Sequence, residues 1–316
     1  MTKAIVKRSS YDGYTDALVS LLTENPGVAV LECRKVYANA TDDSVAAPRR
    51  IRVPVSEQDL VLTAAGMALQ GFVVYTDTPH SPLLIARSYE QIRSAVAVPN
   101  LKVMISSVHD GDSFHRDGAV RQMFEDFALM RTIPHMSVLA PSDYASAYAL
   151  TRAFAKNDGP CYIRLSRQEG ADMYGADETF HSGGAMLVQE GSDVTICTNG
   201  IMVQEALAAS VILRQQGIEA EIIDCYSIKP FPEQTLLASV RRTGCCVVAE
   251  KHIETGGLYG AVSECLGRGY TVPVRGVAMV GGFGQSGLAH ELNEYYGLTH
   301  REIVHNVVQV WAMRRR

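Results

Sequence analysis

Val53-Pro54-Val55-Ser56-Glu57-Gln58-Asp59-Leu60 runs straight into Val61-Leu62-Thr63-Ala64-Ala65-Gly66-Met67-Ala68-Leu69. The second stretch reads as a buried helix of small residues, and Glu57 falls at its start. A carboxylate buried there is costly unless it is paired or does chemistry. That makes Glu57 the strongest lead to the chemistry of this chain.

Working outward, short apolar runs alternate with helical patterns on both sides. Val28-Ala29-Val30-Leu31, Phe72-Val73-Val74-Tyr75, Leu101-Lys102-Val103-Met104-Ile105, Ser137-Val138-Leu139-Ala140 and Cys161-Tyr162-Ile163-Arg164-Leu165 are strand-like runs. Helical patterns over 10–24, 58–70, 84–95, 119–130 and 142–157 separate them. Residues 168–184 are rich in Gly, Asp and Glu, lack a period and read as a linker. A second alternation follows, with strands over 193–197, 220–224 and 245–249 and helices near 202–216, 232–242, 257–266 and 299–312. The expected fold class is α/β: two domains, each a mostly parallel sheet with helices on both faces. Their expected bounds are 1–170 and 187–316, joined by a linker over 171–186.

Composition narrows the function. The chain has 316 residues, 47% of them hydrophobic, enough for two cores, and a formal net charge of −5. That balance argues against a general nucleic-acid binder. Arg314-Arg315-Arg316 reads as a solvated end. The opening residues show no apolar signal region, and no apolar run approaches the roughly 20 residues of a membrane helix, so a cytoplasmic location is expected. Seven scattered cysteines with no Cys-x-x-Cys pair read as buried free thiols rather than a zinc site.

The order of motifs resembles the C-terminal half of transketolase-type thiamine diphosphate enzymes. Ser56-Glu57-Gln58-Asp59 is similar to the family's Ala-Glu-Gln-Asn segment. Tyr89-Glu90-Gln91-Ile92-Arg93, Pro99-Asn100-Leu101-Lys102-Val103, His109-Asp110, Asp117-Gly118, Glu125-Asp126, Leu129-Met130-Arg131, Ile133-Pro134 and Gly159-Pro160 to Arg167 follow in the family's order. Thr198-Asn199-Gly200, Ile228-Lys229-Pro230, Glu250-Lys251-His252 and Phe283-Gly284-Gln285-Ser286-Gly287 continue it. Each motif is weak alone; the order is specific.

The resemblance implies a pyrimidine-binding domain followed by a transketolase C-terminal-like domain. The implied activity is transfer of a two-carbon ketol unit with thiamine diphosphate and Mg2+. It gives Glu57 the bond to N1′ of the cofactor pyrimidine, which favours the imino tautomer that removes the C2 proton. It gives His109 a catalytic contact with the sugar or its phosphate, Pro79, His80 and Leu83 cofactor contacts, and Arg8, Arg121 and Arg167 substrate contacts. No metal ligand falls on this chain. Full-length members hold magnesium and diphosphate on an earlier domain with Gly-Asp-Gly and, further on, Asn-Asn, and no such run occurs here. The implication is one subunit of a split enzyme: a self-dimer that forms an A2B2 heterotetramer with a separate N-terminal subunit.

Three departures surround the implied site. Arg121 stands where the family has His, Pro79-His80 where it stacks a Phe, and Cys33-Arg34-Lys35 where an acidic residue follows the second strand. They imply a more anionic or unusual substrate, with Arg34, His80, His115 and Arg121 shaping the wall. Alternatives are a 2-oxoacid dehydrogenase E1 beta-like subunit, deoxyxylulose-phosphate-synthase-like chemistry, a transferase loading a two-carbon unit onto a carrier protein, and a non-catalytic assembly subunit. His252 reads either as a packed or capping side chain or as a residue near the cofactor cleft, and Phe283 to Gly287 as a structural turn.

Overall fold

The computed structural model describes residues 7–33, 49–53, 56–78, 83–108, 118–119, 122–175 and 177–314. Contacts divide them into two compact units. One holds residues 7–108 and 132–181; the other holds 118–131 and 182–314.

In the first unit, β1 (Lys7–Arg8) precedes α1 (Ser10–Glu24), β2 (Val28–Cys33), β3 (Arg50–Val53), α2 (Glu57–Leu69), β4 (Val73–Asp77), α3 (Leu83–Gln91) and β5 (Val103–Val108). A π-helical segment over Ile92–Ala97 extends α3. After α4 (Asp126–Thr132), which belongs to the second unit up to Arg131, the first unit resumes with β6 (Ser137–Leu139), α5 (Tyr144–Phe154), β7 (Cys161–Leu165) and β8 (Gly170–Ala171). The strands run in the order β6-β7-β5-β4-β2-β3, every pair parallel. β5 and β7 are buried along their whole length, as a sheet covered on both faces requires. β1 and β8 form a separate antiparallel pair.

The second unit contains β9 (Met186–Gln189), β10 (Val194–Thr198), α6 (Met202–Gln215), β11 (Ala220–Asp224), β12 (Ser227–Lys229) and α7 (Glu233–Thr243). It continues with β13 (Cys246–Ile253), α8 (Leu258–Arg268), β14 (Val274–Met279), α9 (Ala289–Tyr295) and α10 (His300–Ala312). Its sheet runs β14-β13-β10-β11-β9, parallel except for β9. Alternation along the strands feeds two cores. Val194, Ile196, Ile222, Val247 and Ala249 face Ala206, Leu213, Ile303 and Val307 of α6 and α10. Cys197, Ile223, Cys246 and Val248 face Leu236, Val240, Leu258 and Val262 of α7 and α8. Each Val, Leu and Ile among them contributes roughly 1.5–3 kcal/mol on burial.

The two-domain α/β architecture expected from the sequence is observed. Several local expectations are corrected. The helix expected over 119–130 begins at Asp126, because Gln122 to Glu125 are drawn out by contacts within the second unit. Strands β1, β3, β8, β9, β12 and β14 and helix α9 were not expected; β3 and β14 carry Arg within a short run, which hides the strand period. Most important, α2 is not buried all round. It buries Leu60, Val61, Ala64 and Ala65, while Leu62 and Leu69 are exposed and nothing approaches Gly66. Its small residues lie on both sides of the helix, and only one side meets the sheet.

Candidate functional site

Parallel α/β sheets bind ligands beyond the carboxyl ends of their strands, because that is where the connecting loops gather. At this edge of the first unit Glu32 is the last residue but one of β2 and Asp77 is the last of β4. These two residues are direct neighbours in register, and both are buried. Two adjacent buried carboxylates are costly unless a cation joins them. Arg50 of β3 does so: its Nε pairs with Glu32 and its Nη2 lies 3.1 Å from Asp77 Oδ2. Burial disfavours the Arg50 cation, but Glu32 and then Asp77 outweigh it and hold the guanidinium above its ordinary value. Tyr11 in the first turn of α1 donates to Asp77 Oδ1 at 3.0 Å.

Glu57 is the first residue of α2, whose N-cap Ser56 accepts the N–H of Asp59 at 3.3 Å. Its carboxylate is not buried: the side chain is 18% exposed, and Oε1 lies 3.0 Å from Nη1 of Arg87 on α3. This corrects the expectation of a buried acid and supplies the partner that the sequence left open. The neighbouring Gln58 donates from Nε2 to the carbonyl of the same Arg87 at 3.1 Å.

Arg167 follows β7 and is exposed, its guanidinium 4.4 Å above the ring of Tyr11. Ser166 anchors this corner, its N–H donating to Ser10 Oγ at 2.8 Å and its carbonyl accepting the Tyr11 N–H at 3.1 Å. Arg8 points elsewhere. It pairs with Asp172 and stacks 3.3 Å over Tyr144, whose phenol is pushed up to about 12 by burial and by its bond to Asp16. The structure therefore gives Arg8 and Arg167 different partners. His109, Arg121, Pro79, His80, Arg34 and His115 lie outside the described residues, as does the side chain of Leu83. The residues that sequence reasoning missed are Arg87, Gln58, Arg50, Glu32, Asp77 and Tyr11. The one local signal was the pair Arg50 and Arg52 alternating in a run that also ends in Val53.

In the second unit His252 has a structural role. It is fully buried and stacked on Phe127, with Nδ1 2.6 Å from the Ile253 carbonyl and Nε2 accepting the Ala128 N–H at 3.3 Å. Those partners place the proton on Nδ1. Glu250 accepts the N–H groups of Leu258 and Tyr259, each at 2.7 Å, and so caps α8. The Phe283–Gly287 turn is fixed by Gln122, whose Nε2 donates to the Gln285 carbonyl at 2.8 Å. A Cβ on Gly284 would lie 1.6 Å from Gln122 Oε1, so only Gly fits there. The six described cysteines are buried and free. Among the described residues no group of three His, Cys, Asp or Glu is placed to hold a metal ion, and no helix is long and apolar enough to cross a membrane.

Two α/β units, the first with a carboxylate opening a helix, are the architecture of the transketolase pyrimidine-binding and C-terminal domains. Residues 9–172 match the transketolase pyrimidine-binding domain, and residues 183–303 match the transketolase C-terminal domain. The chain belongs to the transketolase family. It is 37% identical over 297 residues to the 6-deoxy-6-sulfo-D-fructose transketolase subunit SqwH of Clostridium sp. (strain MSTE9), covering 93% of this chain and 91% of that one. It is 35% identical over 304 residues to a putative transketolase C-terminal section of Methanocaldococcus jannaschii, 94% of each chain. A solved split gene transketolase, described as an inactive beta4 tetramer, superposes with a TM-score of 0.88 at 35% identity, covering 98% of this chain and all of that one.

Proposed function

We propose that this chain is the C-terminal subunit of a two-component transketolase that uses thiamine diphosphate, with Glu57 holding N1′ of the cofactor pyrimidine. The observation that carries this is Glu57 itself: a partly exposed carboxylate on the first turn of α2, with one oxygen paired and the side chain still open to a ligand. That arrangement fits a ring nitrogen. When bound, the cofactor supplies a nucleophilic carbon that takes a two-carbon unit from a ketose and hands it to an aldehyde. Glu57 holds a proton at the ring nitrogen, a relay form of general acid–base catalysis.

The magnesium–diphosphate site belongs to a second chain. The domain division proposed is a pyrimidine-binding domain over 1–170, a linker over 171–186 and a C-terminal domain over 187–316. The relative from Clostridium acts on a sugar with a sulfonate at its end, and the exposed Arg167 guanidinium suits such an anion. The substrate class is therefore a ketose with a terminal phosphate or sulfonate, with Arg8, His109 and Arg121 as further contacts and Pro79, His80 and Leu83 beside the cofactor. The relative titled as an inactive beta4 tetramer supports self-association of this chain, with A2B2 as the active form in the cytoplasm.

The test is co-expression with the chain that carries the diphosphate site, followed by measurement of cofactor C2-proton exchange. Wild type is expected to exchange and Glu57→Gln to lose exchange. Equal exchange in both would identify a non-catalytic assembly subunit and sink the reading.

A further inference from the structure

Glu57 and Gln58 both grip Arg87. The Glu57 carboxylate takes the guanidinium at 3.0 Å, and the Gln58 amide donates to the Arg87 carbonyl at 3.1 Å. Arg87 is thus held at both ends of its residue by two consecutive side chains of another helix. Its own helix supports the grip. Ser88, the next residue, leaves helical geometry at φ −116° and ψ 15°, and the chain then continues as a π-helical segment over Ile92–Ala97. A break of this kind releases carbonyls from the regular helical ladder and leaves them to accept from side chains.

A clasp that served stability alone would be poorly placed. The Arg87 side chain is 59% exposed, and an ion pair so open to water contributes little to folding. What it does achieve is orientation. A free glutamate side chain samples several rotamers, and fixing it costs entropy that a ligand would otherwise have to supply. The clasp biases Glu57 toward one rotamer before a ligand arrives, with Oε1 on Arg87 and Oε2 with no bond to any other described residue.

We propose that Arg87 is the positioning residue for Glu57, holding its carboxylate so that the second oxygen is presented to the ring nitrogen of a thiamine pyrimidine. This rests on the reading of Glu57 given above. Arg suits the task because its planar donor fork fixes direction as well as charge and stays protonated at all working pH values. Lys keeps the charge but not the fork.

The experiment is a double-mutant cycle on the co-expressed complex, using thiamine diphosphate with Mg2+ as probe. Two quantities are measured: the cofactor C2-proton exchange rate and the cofactor affinity by calorimetry. Arg87→Met is expected to slow exchange by on the order of ten- to a hundredfold, the usual cost of a misplaced catalytic group. Cofactor affinity should change by less than about threefold, because the diphosphate end carries most of it. Arg87→Lys should recover part of the lost rate. Glu57→Gln with Arg87→Met should be no slower than Glu57→Gln alone, because Arg87 acts only through Glu57.

A third readout uses this chain alone. The carboxyl carbon resonance of Glu57, assigned by its absence in Glu57→Gln, should move and broaden in Arg87→Met as the side chain becomes mobile. An unmoved resonance, unchanged exchange in Arg87→Met, or strictly additive effects would each overturn the role given to Arg87. If Glu57→Gln exchanges normally, the thiamine reading itself fails. If only the Arg87 variants do, that reading stands and the positioning role falls.

Discussion

The Nε2 atom of His252 accepts the backbone N–H of Ala128, 124 residues earlier in the chain, at 3.3 Å. Ala128 lies in the first turn of α4, where backbone N–H groups have no helical partner. The imidazole is therefore a cap supplied from a distant strand, and Phe127 stacks on its face with ring centroids 5.3 Å apart. His252→Ala leaves that N–H unpaired and opens a cavity against Phe127. The expected loss is about 2–4 kcal/mol, measured as a lower urea midpoint. His252→Gln, which keeps an acceptor, should lose less; equal losses would show that packing alone matters.

Gly257 sits under the same cluster. A Cβ added there would lie 2.2 Å from Glu250 Oε2 and 2.5 Å from His252 Nδ1. Neither side chain can retreat without giving up a bond, since Glu250 caps α8 and His252 holds the Ile253 carbonyl. Gly257→Ala should destabilise the chain by about 1–3 kcal/mol, because the methyl forces these groups apart and Gly is also better than Ala at the N-cap position it holds before α8. A thermal melt unchanged from wild type would contradict the closeness of this contact.

Arg50 joins Glu32 to Asp77 in the first unit. Arg50→Met removes the cation and leaves two buried carboxylates side by side, a change that costs about 3–5 kcal/mol. Arg50→Lys should recover part of the loss. The expected readout is an early unfolding step by calorimetry in Arg50→Met that is absent from wild type, because the second unit's cores are untouched.

Asp193 links stability to pH. Burial raises its carboxyl, but the Glu219 N–H at 2.9 Å and the Arg314 guanidinium at 2.6 Å outweigh that and hold it below the ordinary carboxylate range. The folded chain therefore holds this proton more weakly than the unfolded chain does. The stabilising contribution is complete above the unfolded value of about 3.9 and disappears as pH falls through the lower, folded value. Arg314→Ala should lower the urea midpoint at pH 6, and the gap to wild type should narrow as pH falls through the lowered Asp193 value. A gap that does not change with pH would assign the effect to packing on Trp311 instead.

The strand–helix alternation was legible because it is local. The runs at Cys161–Leu165 and Ala220–Asp224 coincide with β7 and β11, and the helix expected over 10–24 coincides with α1. What escaped was set by neighbours. The run Arg50-Ile51-Arg52-Val53 looks polar until Glu32 of the adjacent strand supplies the partner that lets Arg50 approach the core. Likewise the length of apolar chain behind Glu57 suggested burial, whereas α2 meets the sheet with one face only.

Period and motif order determined two α/β domains, the transketolase family and Glu57 at the start of α2, because each depends on residues a few positions apart. The tertiary structure alone decided who meets whom: Arg87 with Glu57, Arg50 with Glu32 and Asp77, His252 with Ala128. Those pairs are distant along the chain, and strand order and helix packing bring them together. No local pattern specifies that order, so the same Glu57 reads as a buried lone acid in the sequence and as a clasped, presented carboxylate in the fold.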